Sequence, residues 1–329
     1  MSTPAGPLLK VDHLRTYIRA RRGLVHAVDG VSFELYAGET LAVVGESGCG
    51  KSVLCRTIMG LLPEKGCVGH GASIEFDGNQ LIGLTERQYN RFRATQMAMI
   101  FQDPLSCLNP VMPVGRQIAE PLRRHLKLGP GQADRRAVQL IRAVGLPDAE
   151  QCAGYYPHQL SGGMRQRIAI AIALACDPKL LIADEPTTAL DVTVQAGILA
   201  LLSHLQVRTG MSLMMVTHDL AVASNVADRI AVMYAGKIVE IAPGAALIHG
   251  PRHPYTQALI EAIPKIGQTT HTSTVPIEGQ PCDLVFPPPG CRFSMRCPRA
   301  EAPCRVHEPV LKANPASDHR YACWFPREG

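Results

Sequence analysis

Several features common in membrane and secreted proteins are missing from this sequence of 329 residues. No apolar run reaches the roughly 18 residues that a membrane-spanning helix needs. Residues 1–7 contain no basic stretch followed by an apolar one, so no secretory signal is predicted. The net charge is only +5 and dispersed, which gives no argument for nucleic acid or an anionic lipid surface as a partner. We therefore expect a protein that stays in the cytoplasm and binds no nucleic acid.

The eleven cysteines are unevenly distributed. Six are scattered through the first 180 residues, where small buried side chains are the expected role. The other five crowd into the last 48 residues: Cys282, Cys291, Cys297, Cys304 and Cys323. In a reducing compartment such a cluster indicates a metal site rather than disulfides.

The most specific motif lies at residues 45–52, which read Gly-Glu-Ser-Gly-Cys-Gly-Lys-Ser. An apolar run precedes it and a helix-compatible stretch follows, the context that a phosphate-binding P-loop requires. Its glycines let backbone N–H groups point at phosphate oxygens, and the helix adds the positive end of its dipole. Lys51 would reach the β- and γ-phosphates, and Ser52 would hold Mg²⁺. The expected nucleotide contacts are Gly45, Glu46, Ser47, Gly48, Cys49, Gly50, Lys51, Ser52 and Val53.

A carboxylate pair follows a second apolar strand candidate, residues 180–183. Asp184 is placed to hold Mg²⁺ as a Walker B aspartate, and Glu185 is placed to polarise an attacking water. Because an apolar strand runs directly into Asp-Glu-Pro, a surface pair is the weaker interpretation. We conclude from both motifs that the chain binds a nucleoside triphosphate.

A second anion site is indicated at residues 160–163, which read Leu-Ser-Gly-Gly before an apolar, Ala-rich segment, 168–176. Ser161 would cap the helix, and the glycines leave its first N–H groups open to an anion. Taken alone, an ordinary Ser-Gly-Gly turn explains these residues equally well. One nucleotide cannot easily use two such sites of one chain, so we expect this one to serve a partner's nucleotide.

Strand and helix signals together predict an α/β fold with a parallel sheet. The strand candidates are residues 8–14, 25–35, 73–76, 97–101, 180–183 and 213–216, with a hairpin at 230–241. A basic loop is expected at residues 19–23, and helices at 118–122, 133–144 and 255–262. Thirteen of the 26 prolines lie between Pro251 and Pro326, which predicts a loop-rich tail that needs a staple to fold.

In order and spacing, residues 8–250 resemble the ABC ATPases. The shared positions are the P-loop, Gln102 after a strand, residues 160–163, Asp184, Glu185, Asp191 and His218. The resemblance implies a P-loop NTPase cassette with a RecA-like core, an antiparallel β subdomain and an α-helical subdomain at about 104–176. It also implies a head-to-tail dimer that holds two ATP molecules between one P-loop and the other subunit's signature motif.

The same resemblance assigns individual roles. Gln102 is similar to the Q-loop residue that senses Mg²⁺ and the transporter contact, and Asp191 to the D-loop aspartate. His218 resembles the switch histidine that contacts the γ-phosphate. The signature residues facing a partner's nucleotide are Ser161, Gly162, Gly163 and Gln166. Family members stack adenine on an aromatic residue of an early strand, where this chain has Tyr17 and, at the aligned position, Ile18.

Residues 251–329 indicate which subfamily of ABC ATPases the chain resembles. Residues 252–259 resemble the His-Pro-Tyr extension of the ATPase subunits of dipeptide and oligopeptide importers, and the dipeptide type fits best. This resemblance implies a peripheral subunit at the cytoplasmic face of the inner membrane. Its partners would be a second, non-identical ATPase, two membrane permeases and, indirectly, a substrate-binding protein. Relatives with the same motifs serve nickel, glutathione or opines, and the motor sequence does not choose among these cargoes.

Two other classes of ABC protein fit the sequence less well. Soluble ABC ATPases that act on nucleic acid or ribosomes usually carry two cassettes or a coiled-coil insertion, and this chain has neither. A regulatory subunit without turnover is disfavoured because Glu185 and His218 are intact.

The spacing Cys291-x5-Cys297-x6-Cys304-x18-Cys323 is not that of a zinc finger. Four thiolates from a loop-rich segment suit zinc or a [4Fe–4S] cluster equally on chemistry alone. Free thiols in a disordered tail are the remaining alternative. The resemblance to the importer subunits favours [4Fe–4S], with Cys282 as a spectator.

Overall fold

The computed structural model describes residues 6–188, 190–263, 277–314 and 317–327. In chain order the strands are β1 (Leu9–Ala20), β2 (Gly23–Leu35), β3 (Thr40–Val44), β4 (Gly66–Val68), β5 (Ser73–Phe76), β6 (Asn79–Gln80), β7 (Met97–Ile100), β8 (Leu180–Asp184), β9 (Ser212–Thr217), β10 (Arg229–Tyr234), β11 (Lys237–Pro243), β12 (Lys312–Asn314) and β13 (Ser317–Tyr321). The helices are α1 (Lys51–Ile58), α2 (Glu86–Tyr89), α3 (Val114–His125), α4 (Pro130–Ala143), α5 (Ala149–Cys152), α6 (Gly162–Ala173), α7 (Val192–Thr209), α8 (Leu220–Val226), α9 (Gly244–His249), α10 (Pro254–Glu261) and α11 (Ala302–Val306).

The chain divides into two compact units. The first unit combines Met1–Leu35, Thr40–Ile82 and Val216–Gly329, and the second combines Tyr36–Glu39 and Gly83–Met215. In the described parts of both units, no helix has the length and apolar character to cross a bilayer.

The first unit contains an antiparallel sheet in the order β2-β1-β5-β6, with β4 also paired to β1. This confirms the antiparallel subdomain that the resemblance predicted. The unit also contains β3 and β10, which pair in parallel with Arg229 opposite Leu41, followed by β11, β13 and β12 in antiparallel order. Every residue of β3 and β10 is buried, including the polar Thr40 and Arg229 that begin them. The remaining residues form the short apolar runs that buried parallel strands have.

In the second unit, β7 and β8 pair in parallel with Met97 opposite Leu180. Helices α3 to α6 follow β7, and each buries apolar residues such as Ile118, Leu140 and Ile168. The strand β9 begins in the second unit, and its last two residues, Val216 and Thr217, belong to the first unit.

At two places the structure contains more strand than the sequence predicted. The basic loop at residues 19–23 is only a two-residue turn, because β1 continues through Tyr17 and Ile18 to Ala20 and pairs with β2 up to Gly23. The tail, expected to be loop-rich, also contains β13, which pairs with β11 so that Tyr321 lies opposite Glu240. The polar sequence of β13, Asp-His-Arg at 318–320, carries no apolar alternation that would have indicated a strand.

Candidate functional site

The P-loop connects the buried strand β3 to helix α1, as the motif predicted. Gly50 caps the helix with φ 108°, a left-handed conformation that favours glycine. A Cβ at Gly50 would lie 2.0 Å from the carbonyl oxygen of Ala27, and one at Gly45 would lie 2.0 Å from that of Met233. Both positions therefore exclude any side chain.

The Lys51 side chain is held inside this loop. Its Nζ donates to the carbonyl oxygens of Gly45 at 2.7 Å and Glu46 at 3.0 Å, and lies 3.9 Å from Sγ of Cys49. Burial raises the pKa of the Cys49 thiol, so Cys49 is neutral and leaves the ammonium charge available for phosphate.

Other residues of the motif lie at least partly at the surface. Ser47 and Gly48 are exposed, and Ser52 and Val53 are half-buried in the first turn of α1. That turn contains no acidic side chain that would oppose an anion at the helix N-terminus.

Tyr17 lies where the pairing of β1 and β2 is irregular. Thr16 pairs with Val28 and Tyr17 with His26, so that one residue of β2 is skipped. The half-buried Tyr17 ring meets the His26 ring edge-on, with centroids 4.9 Å apart. Ile18 is also half-buried, and the choice of adenine-stacking residue stays a prediction.

In the second unit, Asp184 ends β8 and is 1% exposed. Glu185 follows with φ 47°, a left-handed conformation that is unusual for a non-glycine residue and clusters at functional sites. Its Oε2 accepts hydrogen bonds from Nε2 of Gln102 at 3.0 Å and from Oγ1 of Thr188 at 2.8 Å. The structure thus brings together Gln102 and Glu185, two predicted catalytic residues 83 positions apart.

The signature residues lie at the start of α6. Ser161 caps this helix as predicted, since its Oγ accepts the Met164 N–H at 3.3 Å. The helix spans Gly162–Ala173, so both glycines belong to its first turn, as the prediction of Ser161 as the cap requires. A Cβ at Gly163 would lie 2.7 Å from Cγ1 of Val194, so the glycine permits close packing against α7.

Asp191 caps α7 by accepting the Val194 N–H at 2.9 Å. Gln166 is 2% exposed, and its Nε2 has no hydrogen-bond partner within the described residues. His218 belongs to the first unit, where it follows β9 as an exposed side chain.

Sequence reasoning missed two contacts that the C-terminal extension makes with the P-loop. The Tyr255 hydroxyl accepts the Glu46 N–H at 2.9 Å, and the Arg296 guanidinium pairs with the Glu46 carboxylate. The His-Pro-Tyr sequence marked Tyr255, although it gave no indication of what the ring touches. Nothing in the sequence indicated a role for Arg296 beyond its position next to Cys297.

His253 begins the helix that carries Tyr255. Its Nδ1 accepts the Tyr255 N–H at 3.1 Å, and Glu240 accepts the N–H groups of Arg252 and His253 at 2.6 and 2.9 Å. Burial lowers the pKa of His253 to about 4, against the opposing effect of the Glu240 carboxylate.

The four predicted metal-ligating cysteines, Cys291, Cys297, Cys304 and Cys323, line one cavity together with aromatic side chains that include Phe293 and Trp324. The cavity has room for about one water molecule, about 10 Å³. Burial raises the pKa of Cys291 and Cys323 to about 11. Cys282 does not line this cavity.

Within the described residues, no group of three or more His, Cys, Asp or Glu side chains is arranged so that it could hold a metal ion. The positions of these side chains therefore give no support to a metal-binding group. The four thiols nevertheless line the same cavity.

Known families match both parts of the chain. The ABC transporter family matches residues 28–188, and the oligopeptide/dipeptide transporter C-terminal region matches residues 239–304. The dipeptide transport ATP-binding protein of Bacillus subtilis is 46% identical over 318 residues, 97% of this chain and 94% of the relative. The oligopeptide transport ATP-binding protein of Salmonella typhimurium is 43% identical over 325 residues, 99% of this chain and 96% of the relative.

A solved structure, a dimeric ATP-binding cassette in a post-hydrolysis state bound to ADP and phosphate, superposes with a TM-score of 0.64 at 26% identity. The match covers 71% of this chain and 98% of the cassette. This confirms the cassette fold.

Proposed function

Because this chain belongs to the ATP-binding subunits of ABC-type dipeptide and oligopeptide transporters, we propose that its ATPase activity drives the import of short peptides across the inner membrane. The observation that carries the proposal is the pairing of a complete nucleotide-binding cassette with the C-terminal region of that transporter family in one chain. The relatives named for dipeptides and oligopeptides span nearly the whole chain at 43–46% identity.

In the first unit, the P-loop from Gly45 to Ser52 binds the phosphates, and Lys51 leaves its loop carbonyls to neutralise them. Tyr17 stacks on the adenine. His218 contacts the γ-phosphate at the end of β9. The packing of Gly45 and Gly50 against backbone carbonyls supports a loop shape fixed before the nucleotide arrives.

In the second unit, Glu185 is the base that polarises the attacking water. Its carboxylate is oriented by Gln102 and Thr188, which supports a role for Gln102 in signalling occupancy to Glu185. Gln102 and Asp184 of this unit carry oxygen donors of the kind that Mg²⁺ prefers, and in the first unit so does Ser52. When bound, Mg²⁺ neutralises phosphate charge during hydrolysis.

The signature residues Ser161, Gly162, Gly163 and Gln166, with Asp191, act on the nucleotide of a second ATPase subunit. The buried Nε2 of Gln166 has no hydrogen-bond partner in the part of the chain that the structure describes. This supports the role, because a buried amide without a partner is costly unless another group satisfies it. The second ATPase is a non-identical chain. Both ATPases bind two permeases at the cytoplasmic face of the inner membrane, and a separate binding protein delivers the peptide.

Purification in mild detergent tests this assembly. The complex is expected to contain two permeases and a second ATPase by mass spectrometry, and its ATPase rate is expected to rise when binding protein loaded with a dipeptide is added. Stimulation by nickel- or glutathione-loaded binding protein, with none by peptide, would reassign the cargo and leave the motor assignment intact.

We also propose a [4Fe–4S] cluster at Cys291, Cys297, Cys304 and Cys323. The four thiols line one cavity among aromatic side chains, which supports it. Against it, the described residues are not arranged as metal ligands, and the cavity holds only about one water molecule, about 10 Å³. Burial raises the pKa of Cys291 and Cys323, and a bound metal cation would stabilise their thiolate forms. Anaerobic purification followed by iron, zinc and acid-labile sulfide analysis decides the identity: zinc without sulfide excludes the cluster, and neither metal excludes the site.

A further inference from the structure

Arg296 has every one of its five N–H donors engaged, and its side chain is 4% exposed. Two donors form a fork with the carboxylate of Glu46: Nη1 to Oε2 at 2.7 Å and Nη2 to Oε1 at 3.0 Å. The others reach the carbonyl oxygens of Glu278 and Ile277, both at 2.9 Å, and the Tyr234 hydroxyl at 3.3 Å. An arginine held in this way has one orientation, directed at Glu46.

Glu46 is the second residue of the P-loop, and three of its groups are fixed at once. Its N–H donates to the Tyr255 hydroxyl at 2.9 Å, and its carbonyl oxygen accepts from Nζ of Lys51 at 3.0 Å. Its carboxylate pairs with Arg296. One P-loop residue therefore joins the C-terminal extension to the lysine that must bind phosphate.

An acidic side chain is an unfavourable choice in a loop that binds polyphosphate, since like charges in a partly buried site repel strongly. The Glu46 side chain is only 27% exposed, so water screens its charge incompletely. A guanidinium fork neutralises a carboxylate and fixes its direction at the same time.

The extension is built to keep Arg296 in place. Phe293, three residues before it, packs against Tyr234 and Tyr255 with ring centroids 5.2 and 5.3 Å away. The two tyrosine rings lie 4.6 Å apart. Aromatic packing thus anchors the loop that carries Arg296 to the rest of the first unit, independently of the charge of the arginine.

We propose that Arg296 is a positioning residue for ATP: it cancels the repulsion between Glu46 and the phosphates and fixes the entrance of the P-loop. The C-terminal extension thereby sets the nucleotide affinity of the cassette. The proposal concerns ATP binding alone and does not depend on the transported cargo.

The test is equilibrium binding of ATPγS with Mg²⁺ to the full-length chain by isothermal titration calorimetry. Arg296→Met keeps the length of the side chain and removes its charge. We expect its Kd to rise about tenfold, and less at high salt because the repulsion is screened. Adding Glu46→Gln to Arg296→Met removes the unpaired charge, so the double variant is expected to return to within about threefold of the original Kd.

Arg292→Met is the matched control. Arg292 lies in the same loop and is 5% exposed, and it pairs with Asp29 and the carbonyl of Ala235 rather than with Glu46. This variant is expected to lower the melting temperature and leave the Kd within about twofold, since it weakens docking without exposing a charge in the P-loop.

A double variant that binds as weakly as Arg296→Met, or an equal loss in Arg292→Met, would show that the arginine only docks the extension. If Arg296→Met does not fold, the ATPγS affinity of the single variant Glu46→Gln tests the proposal. The proposal predicts binding about two- to threefold tighter, because the loop loses its negative charge. A purely structural pair predicts weaker binding.

Discussion

Gln102 donates a hydrogen bond to Glu185 across 3.0 Å, which joins the second residue after β7 to the carboxylate that follows β8. The two strands pair in parallel, so their carboxyl ends meet at the same edge of the sheet. The hydrogen bond makes the orientation of the proposed base depend on the proposed sensor of bound Mg²⁺.

Glu185→Gln is expected to lower the ATPase rate of the assembled complex about 100-fold or more and to preserve ATP binding, because the amide cannot accept a proton from water. Single-turnover hydrolysis and equilibrium ATP binding separate the two effects. Turnover at the original rate would remove Glu185 from the catalytic role.

Ser161→Arg is expected to block the nucleotide site of the second ATPase, since the added side chain fills the anion-binding start of α6. Mixed dimers with the substitution in one subunit measure this, with ATP binding at each P-loop as the readout. Loss of binding at the P-loop of the substituted chain itself would contradict the assignment across the dimer.

Tyr255→Phe removes the acceptor of the Glu46 N–H and leaves that amide without its hydroxyl partner. The free energy of unfolding is expected to fall by about 1–3 kcal/mol. Denaturant titration measures the change. An unchanged free energy would mean that water replaces the hydroxyl.

Acid is expected to destabilise the first unit through His253. Its folded pKa of about 4 lies below the ordinary 6.5, so the unfolded chain takes up the proton first as pH falls. The contribution is complete above pH 6.5 and is lost toward pH 4, by about 3 kcal/mol in total. His253→Asn supplies a helix cap that does not titrate in this range. Its free energy of unfolding should vary less between pH 6.5 and 4, and an equal pH dependence in both proteins would exclude His253 as the cause.

The nucleotide motifs could be predicted from sequence because their chemistry is local. A strand, a glycine turn and a helix place Lys51 on the loop carbonyls whatever the rest of the chain does. The Glu46–Arg296 pair could not be predicted, since it joins residues 250 positions apart and depends on how the tail folds back. The strand β13 was missed for a related reason. Its polar residues take their structure from pairing with β11 rather than from their own pattern.

Uptake of a radiolabelled dipeptide tests the central claim most directly, in cells whose only copy of this chain is the original or Lys51→Ala at equal expression. Free amino acid uptake serves as the control. We predict that peptide uptake falls at least about tenfold in the variant, because the ammonium that neutralises the phosphates is gone, and that amino acid uptake is unchanged. Peptide uptake at the original rate with Lys51→Ala would contradict the account.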